Sequence, residues 1–278
     1  MRLFCPKPDD NPRLMIRSAA LAERFGLSVA ETMEAIGPDE PAWLALESPV
    51  PGGLALVVRD PEEPGCTTVL HGELVAFARR LARRPPSRRD AFARAVGKSS
   101  VHVVDATAGF GHDAVLLAAY GHQVTAIERH PGLAALLADQ LDALRAFDGE
   151  DRLRQRMASV FGRIELVHAD ARDVLRELAD DDSARPDAVY VDPMYPPRRK
   201  QSAKPRKRIE LARRLLGPSE AADAPELLRA GVACATQRVI VKRPHDAPPL
   251  ADDSADVPPP DFTIDSKLVR YDVHTKKR

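Results

Sequence analysis

Asp192-Pro193-Met194-Tyr195 follows a short β-branched run at 188–191 and combines two hydrogen-bond acceptors with an aromatic face. The exocyclic amine of a nucleobase is a poor nucleophile, because its lone pair is delocalised into the ring. To methylate it, a protein must accept its N–H hydrogens and hold the lone pair toward the methyl donor, so positioning outweighs strong-base chemistry. The Asp192 carboxylate and the Pro193 carbonyl are suitable acceptors. Tyr195 offers a surface on which a base that has left its stack can rest. Pro193 lacks an N–H and stiffens the turn. The plainer alternative is that Asp-Pro opens an ordinary turn and Tyr195 is a half-buried aromatic.

A second group lies upstream. Asp105-Ala-Thr-Ala-Gly109-Phe-Gly111-His112-Asp113 links the end of one strand to the start of a helix. Ligands of doubly wound folds bind at such turns, and Gly109 and Gly111 are expected to let the backbone approach a ligand that a Cβ would obstruct. With Ala114, the same turn also fits the weak G-x-G-x-x-A dinucleotide fingerprint. The next strand ends at Glu128, where an acid can accept from both hydroxyls of a ribose. The one after ends at Asp170, where a carboxylate can take an adenine amino group or simply cap the following helix. Three acids at consecutive strand ends beside a glycine turn point to a nucleotide-like ligand.

Regular elements must present these groups along one edge. From residue 101 the chain alternates short β-branched runs with helical periods, the pattern of a parallel sheet flanked by helices. Strands are expected at 101–105, 123–127, 164–167, 188–191 and 238–242, helices at 113–120 and 133–146, and an antiparallel edge hairpin within 262–274. The first part reads as a small α+β unit, with a helix over 19–25, an extended run at 54–59, and helices over 74–81 and 89–96. The Pro85-Pro86 pair is the expected boundary between this N-terminal domain, 1–85, and a doubly wound Rossmann-like α/β domain, 86–278.

The chain has 278 residues, 44% hydrophobic and 29% charged, with 41 Lys and Arg against 41 Asp and Glu. That composition excludes wholesale disorder. No apolar run is long enough to span a membrane and no leader pattern opens the chain, so a cytoplasmic location is expected. Cys5, Cys66 and Cys234 form neither a disulfide framework nor a CxxC pair, and the histidines show no ligand spacing, so no metal is expected. The zero net charge conceals segregation. Residues 79–98 hold eight Lys or Arg and one acid, and residues 198–214 hold nine and one, leaving the remainder at −15. Arg198, Arg199 and Lys200, directly after the Asp192 turn, and Lys242 and Arg243, ending the fifth strand, are candidate phosphate contacts for an RNA strand. A solvated basic face is the alternative.

These blocks resemble the ribosomal RNA small subunit methyltransferase J family. The likeness rests on Val104-Asp-Ala-Thr-Ala-Gly-Phe-Gly111 with Asp113, Ile127-Glu-Arg-His-Pro131 followed by Ala134-Ala-Leu-Leu, and His168-Ala169. It continues through Val191-Asp-Pro-Met-Tyr-Pro196 and Val241-Lys-Arg-Pro244 followed by Ala247-Pro-Pro-Leu250. With Ala93–Gly97 it covers about residues 88–278; the first 85 match loosely, around Leu21–Leu27. The resemblance implies methyl transfer from S-adenosylmethionine to the exocyclic N2 of a guanine in 16S rRNA of the small ribosomal subunit. It also implies donor contacts at His112, Asp113, Glu128, Arg129, Asp170, Ala171 and Asp192, which join the cofactor contacts expected at Asp105, Gly109 and Gly111 of the glycine turn. This chain has His112 where the family usually carries Arg, and Asp170-Ala171 where it carries a Ser pair.

Competing readings remain. An adenine-N6 or tRNA guanine methyltransferase would use the same Asp-Pro-x-aromatic turn. A nicotinamide-dependent oxidoreductase would use the glycine turn but gives no role to Asp192–Tyr195 or the basic runs. A silent RNA-binding module would be expected to have lost Asp192 or the glycines.

Overall fold

Helix 131–145 spreads its leucines and alanines around most of its circumference, and a helix of that kind must be covered on most sides. In the computed structural model, which describes residues 1–5, 12–47, 53–59, 66–146, 152–193, 219–250 and 259–276, two sheets cover it. The first comprises β1 (Arg2–Phe4), β2 (Ser28–Ala30), β3 (Ala42–Leu46), β4 (Leu54–Arg59) and β5 (Thr67–His71), ordered β2-β1-β3-β4-β5. Strand β1 runs parallel to both neighbours, whereas β3, β4 and β5 form an antiparallel meander. Helices α1 (Pro12–Phe25) and α2 (Met33–Ile36) accompany it. Because side chains alternate across a sheet, β3 and β4 split their apolar residues between two faces. Leu44, Leu46, Leu54 and Leu56 meet Leu133, Ala134, Leu136 and Ala138 of the buried helix, while Trp43 and Val57 pack with Ala30 and Ile36 opposite.

The second sheet contains the parallel strands β6 (His102–Asp105), β7 (Gln123–Glu128), β8 (Ile164–His168), β9 (Ala188–Val191) and β10 (Arg238–Arg243). The edge hairpin is β11 (Phe262–Asp265) with β12 (Arg270–Thr275), antiparallel to β10. The order β11-β12-β10-β9-β6-β7-β8 matches the doubly wound expectation, with the reversal of strand order at β6. Helices α3 (Leu74–Arg83), α4 (Ala91–Val96), α5 (His112–Ala119), α6 (Pro131–Arg145), α7 (Arg152–Phe161), α8 (Ala171–Ala179) and α9 (Ser219–Cys234) flank it. Leu137, Leu141 and Leu144 of α6 join the core of this sheet, as do Leu74 and Ala78 of α3.

One charge lies inside the joint between the two sheets. Asp139 of α6 is 1% exposed, accepts from the Leu54 backbone N–H at 3.0 Å and pairs with Arg17 of α1. A buried carboxylate is tolerated only when its lone pairs are answered, and here both answering groups come from the N-terminal unit.

The N-terminal region differs most from expectation. Helix α1 begins at Pro12, far ahead of residue 19, because proline at the first helical position surrenders an N–H that would be unpaired there anyway. Strands β1 and β2 have three residues each, too few for a period, and β3 has no polar alternation because both its faces are covered.

Candidate active site

The carboxyl ends of β6, β7, β8, β9 and β10 meet along one edge, and the turns leaving them form a crevice. Its first wall is the glycine turn after β6. The two glycines have different duties. Both have positive φ, +52° at Gly109 and +78° at Gly111. A Cβ on Gly109 would meet only the Thr107 carbonyl oxygen at 3.9 Å, so its backbone lies open to a ligand. A Cβ on Gly111 would lie 2.5 Å from Leu137 Cδ1 and 3.4 Å from Leu74 Cδ2. The expectation that both glycines make room for a ligand is therefore corrected: Gly111 makes room for α6 and α3. Asp105 is corrected as well. It is fully buried, so it cannot touch a ligand, and its Oδ1 accepts the Thr107 N–H at 3.2 Å. Burial and neighbouring Asp113 push its pKa well above the usual carboxylate range.

The far wall holds Glu128, Arg129, Asp170, Ala171, Arg172 and Asp223, with Ile127, Ala224 and Leu227 as apolar lining. Glu128 ties two turns together. Its Oε2 accepts the Gly109 N–H at 2.8 Å and its Oε1 the His130 N–H at 2.7 Å. Asp170 caps α8 by accepting the Arg172 N–H at 2.9 Å, and the Arg172 guanidinium grips both its oxygens at 3.0 and 2.7 Å. That fork holds the Asp170 pKa below its ordinary value. Arg129 pairs with Asp223 at 2.6 Å, and Arg172 reaches Asp223 at 3.2 Å and Glu226 at 2.8 Å. Asp170 is thus an N-cap and an arginine partner, and that fork takes up acceptor capacity an adenine amino group would use. Ala171 is the first residue of α8 and is 6% exposed.

The near side is built differently. Asp192 follows β9, and its backbone N–H donates to Thr107 Oγ1 at 2.7 Å, locking the Asp-Pro turn to the glycine turn. Pro193 is buried beside the crevice. Asp113, in the first turn of α5, accepts from the Tyr190 hydroxyl at 2.7 Å. Lys242 Nζ stands 2.8 Å from Oδ2 of both Asp113 and Asp192. Burial raises the Asp113 pKa, but Lys242 and the Tyr190 hydroxyl outweigh it and bring it below the ordinary value. The His112 ring packs edge-on against Phe77 of α3, with centroids 5.0 Å apart.

The structure thus lines one crevice with Glu128, Arg129, Asp170, Ala171 and Pro193, while Gly109 is tied to it through Glu128, Asp192 through Thr107, and Asp113 to Asp192 through Lys242. Tyr195, Arg198, Arg199 and Lys200 lie outside the described residues. Of the two expected phosphate contacts on β10, the Lys242 ammonium is engaged by two carboxylates, and Arg243 is 4% exposed with its guanidinium on the Pro248 carbonyl. Thr107, Arg172, Tyr190 and Asp223 escaped the sequence reading. An arginine two residues after an N-capping aspartate is a visible signal for the Asp170–Arg172 pair. The others depend on strand register and helix packing.

The site fits S-adenosylmethionine on its own terms. Gly109 leaves a backbone cradle open, the Glu128 carboxylate lines the same crevice, and Ile127, Ala224 and Leu227 give a purine an apolar surface. Residues 29–276 match the family described as "Putative SAM-dependent methyltransferase". A crystal structure of a SAM-dependent methyltransferase from Neisseria gonorrhoeae is similar over 99% of this chain and 96% of that one, with a TM-score of 0.68 and 26% identity. Fold and crevice are those of an S-adenosylmethionine-dependent methyltransferase, with S-adenosylmethionine as the cofactor. A protein of Thioalkalivibrio sulfidiphilus named ribosomal RNA small subunit methyltransferase J is 40% identical over 93% of this chain and 92% of its own length. One of the same name from Chromobacterium violaceum is 34% identical over 99% and 96%. The chain belongs to the ribosomal RNA small subunit methyltransferase J family.

Proposed function

We propose that this enzyme methylates the exocyclic N2 of a guanine in 16S rRNA, acting on the small ribosomal subunit or its RNA in the cytoplasm. The observation that carries the reading is the Asp192-Pro193 turn, fixed by Thr107 at the lip of the crevice that fits the cofactor. When bound, S-adenosylmethionine supplies an electrophilic methyl carbon on a sulfonium sulfur. Glu128 and Arg129, with the backbone at Gly109, form the donor-holding wall, Glu128 accepting from the ribose. His112 and Asp113 at the head of α5 and Asp170-Ala171 at the head of α8 border it.

The Asp192 carboxylate and the Pro193 carbonyl accept N–H hydrogens of the target amine and so turn its lone pair toward the methyl carbon, while Tyr195 stacks on the base. Arg198, Arg199 and Lys200 neutralise phosphates next to the target without reading sequence. The N-terminal unit, residues 1–85, helps to grip the RNA.

The test is methyl transfer by the purified chain to small subunits, and to naked 16S rRNA, from cells lacking this protein, with the modified nucleotide identified by mass spectrometry. N2-methylguanosine in 16S rRNA is the expected product. Methyl groups on adenine N6 or on tRNA would move the reading to the corresponding relatives, and binding of NAD in place of S-adenosylmethionine would end it.

A further inference from the structure

Asp113 and Asp192 reach the crevice from different elements, the first turn of α5 and the turn after β9, yet both are held by one ammonium at 2.8 Å. Register puts it there. Val241 pairs with Val191, so the next residue on β10 stands beside Asp192, and on its other side Lys242 pairs with Tyr271 of β12. Among the described residues, Oδ1 of Asp192 accepts no hydrogen bond, whereas Oδ2 is pinned by Lys242. One oxygen of the carboxylate is therefore committed and the other is available.

The surroundings would otherwise favour a neutral acid. Asp192 is faced by Asp105 from β6, by Asp113 and neighbouring His112 from α5, by Tyr190 from β9, by Tyr271 from β12 and by Lys242 from β10. Burial pushes the Asp192 pKa up and Asp113 adds to that; Lys242 opposes both and limits the rise, which leaves the pKa above the ordinary carboxylate value. A protonated Asp192 would offer an O–H to the amine whose lone pair must stay free, and it would lose its ability to accept an N–H.

We propose that Lys242 is a positioning residue for methyl transfer, holding Asp192 as a carboxylate with Oδ2 fixed so that Oδ1 accepts an N–H of the target amine. This rests on the role given to Asp192 above. In the step itself, the amine lone pair forms the bond to the methyl carbon while the carbon–sulfur bond breaks and its electron pair stays on sulfur. The nitrogen is then cationic, and one of its N–H protons passes to Asp192 Oδ1 and on to water. Lys242 donates no proton and contributes only charge and direction.

The sign of the pH dependence follows. The active form is the carboxylate, so the rate falls as pH drops through the Asp192 pKa. Removing the ammonium raises that pKa and moves the acid limb to higher pH. An opposite charge at hydrogen-bond distance shifts a carboxylate by about 1–3 units, and the limb should move by about that much in K242Q.

The experiment measures single-turnover methyl transfer by the full chain against pH, with saturating donor and RNA, for wild type, K242Q and K242R. Calorimetry with S-adenosylhomocysteine reports the integrity of the donor site. The expected result is an upward-shifted limb in K242Q, a limb near that of wild type in K242R, and product affinity within a few-fold in both. A K242Q limb that coincides with wild type, or a rate loss equal at every pH, overturns the proposal. If K242Q fails to bind S-adenosylhomocysteine, D113N decides, because it removes the like charge while keeping Lys242. Its limb should move to lower pH, and an unmoved limb overturns the proposal. A wild type that methylates no rRNA removes the functional reading and this inference with it. An active wild type with an unmoved limb removes this inference alone.

Discussion

The two sides of the crevice treat their carboxylates in opposite ways. On the β7 and β8 side, the carboxylates of Glu128, Asp170 and Asp223 are answered by backbone N–H groups or guanidinium groups, and Arg172 spans Asp170, Asp223 and Glu226. On the β6, β9 and β10 side, Asp113 and Asp192 share one lysine above a third acid, Asp105, that is wholly buried. A wall whose carboxylates are each held by a backbone N–H or a guanidinium is rigid, which suits a ligand held by shape and a few hydrogen bonds. A side with more acceptors than donors keeps acceptor capacity in reserve, which suits the removal of N–H hydrogens from a nucleophile. On the proposed function, binding and chemistry are thereby separated within one sheet edge.

The sharpest way to break this contrast is Asp192→Ala. If the near side does chemistry and the far side holds the donor, single-turnover methyl transfer should fall by about 10²–10⁴-fold, the usual contribution of a positioned acid or base. Calorimetry with S-adenosylhomocysteine should show little change. Equal losses in rate and affinity would mean that the two sides are not separable.

The converse substitution is Glu128→Gln. It exchanges a carboxylate that gathers two backbone N–H groups for an amide with a single acceptor oxygen, leaving one of the Gly109 and His130 donors unsatisfied. Leaving one buried donor unpaired costs about 1–3 kcal/mol, so donor affinity should weaken by about tenfold to a hundredfold. The rate at saturating donor should hold. A large fall in that rate would assign Glu128 to the chemistry.

The glycines test the same division on the backbone. Gly111→Ala places a Cβ 2.5 Å from Leu137 in a close-packed core and holds alanine at φ +78°, so thermal unfolding should register a loss of about 1–3 kcal/mol. Gly109→Ala meets no such neighbour and should lose less stability, about 1–2 kcal/mol from the left-handed backbone alone, while weakening the donor. Reversed ranks in unfolding temperature would show that the packing role given to Gly111 is wrong.

The strand ends were readable because a doubly wound sheet places every parallel strand's carboxyl end on one edge, so Glu128, Asp170 and Asp192 converge whatever the details of packing. The parallel strands themselves were legible as β-branched runs between turn residues. What answers each acid was not. Lys242 is 129 residues from Asp113 in sequence and 50 from Asp192, and only the register of β10 against β9 makes them neighbours. Distance also hid the Arg129–Asp223 pair, 94 residues apart, since α9 reaches the crevice by packing on α8, β9 and β10. In the N-terminal sheet, pattern failed for a different reason. Strand β4 matches the extended run expected at 54–59, but β3 is buried on both faces, so its apolar run carries no period that tells a strand from a buried helix turn.

Basic residues divide as the acids do, and the smallest predicted effect follows from that division. Arg243 is turned inward, whereas Arg83 and Arg84 at the carboxyl end of α3 are exposed. A cation that contacts phosphate displaces a condensed counterion, and each one lost lowers the magnitude of the salt slope of RNA binding by about 0.7 for a single strand and 0.9 for a duplex. Replacing Arg83 and Arg84 by Ser should therefore flatten the slope by about 1–2 if both meet RNA, with product affinity untouched. Arg243→Met should leave the slope alone and lower the unfolding temperature instead. A slope that answers to Arg243 and ignores Arg83 and Arg84 would mean that the buried guanidinium becomes accessible on RNA binding, and it would place RNA at the β10 edge and away from the α3 flank.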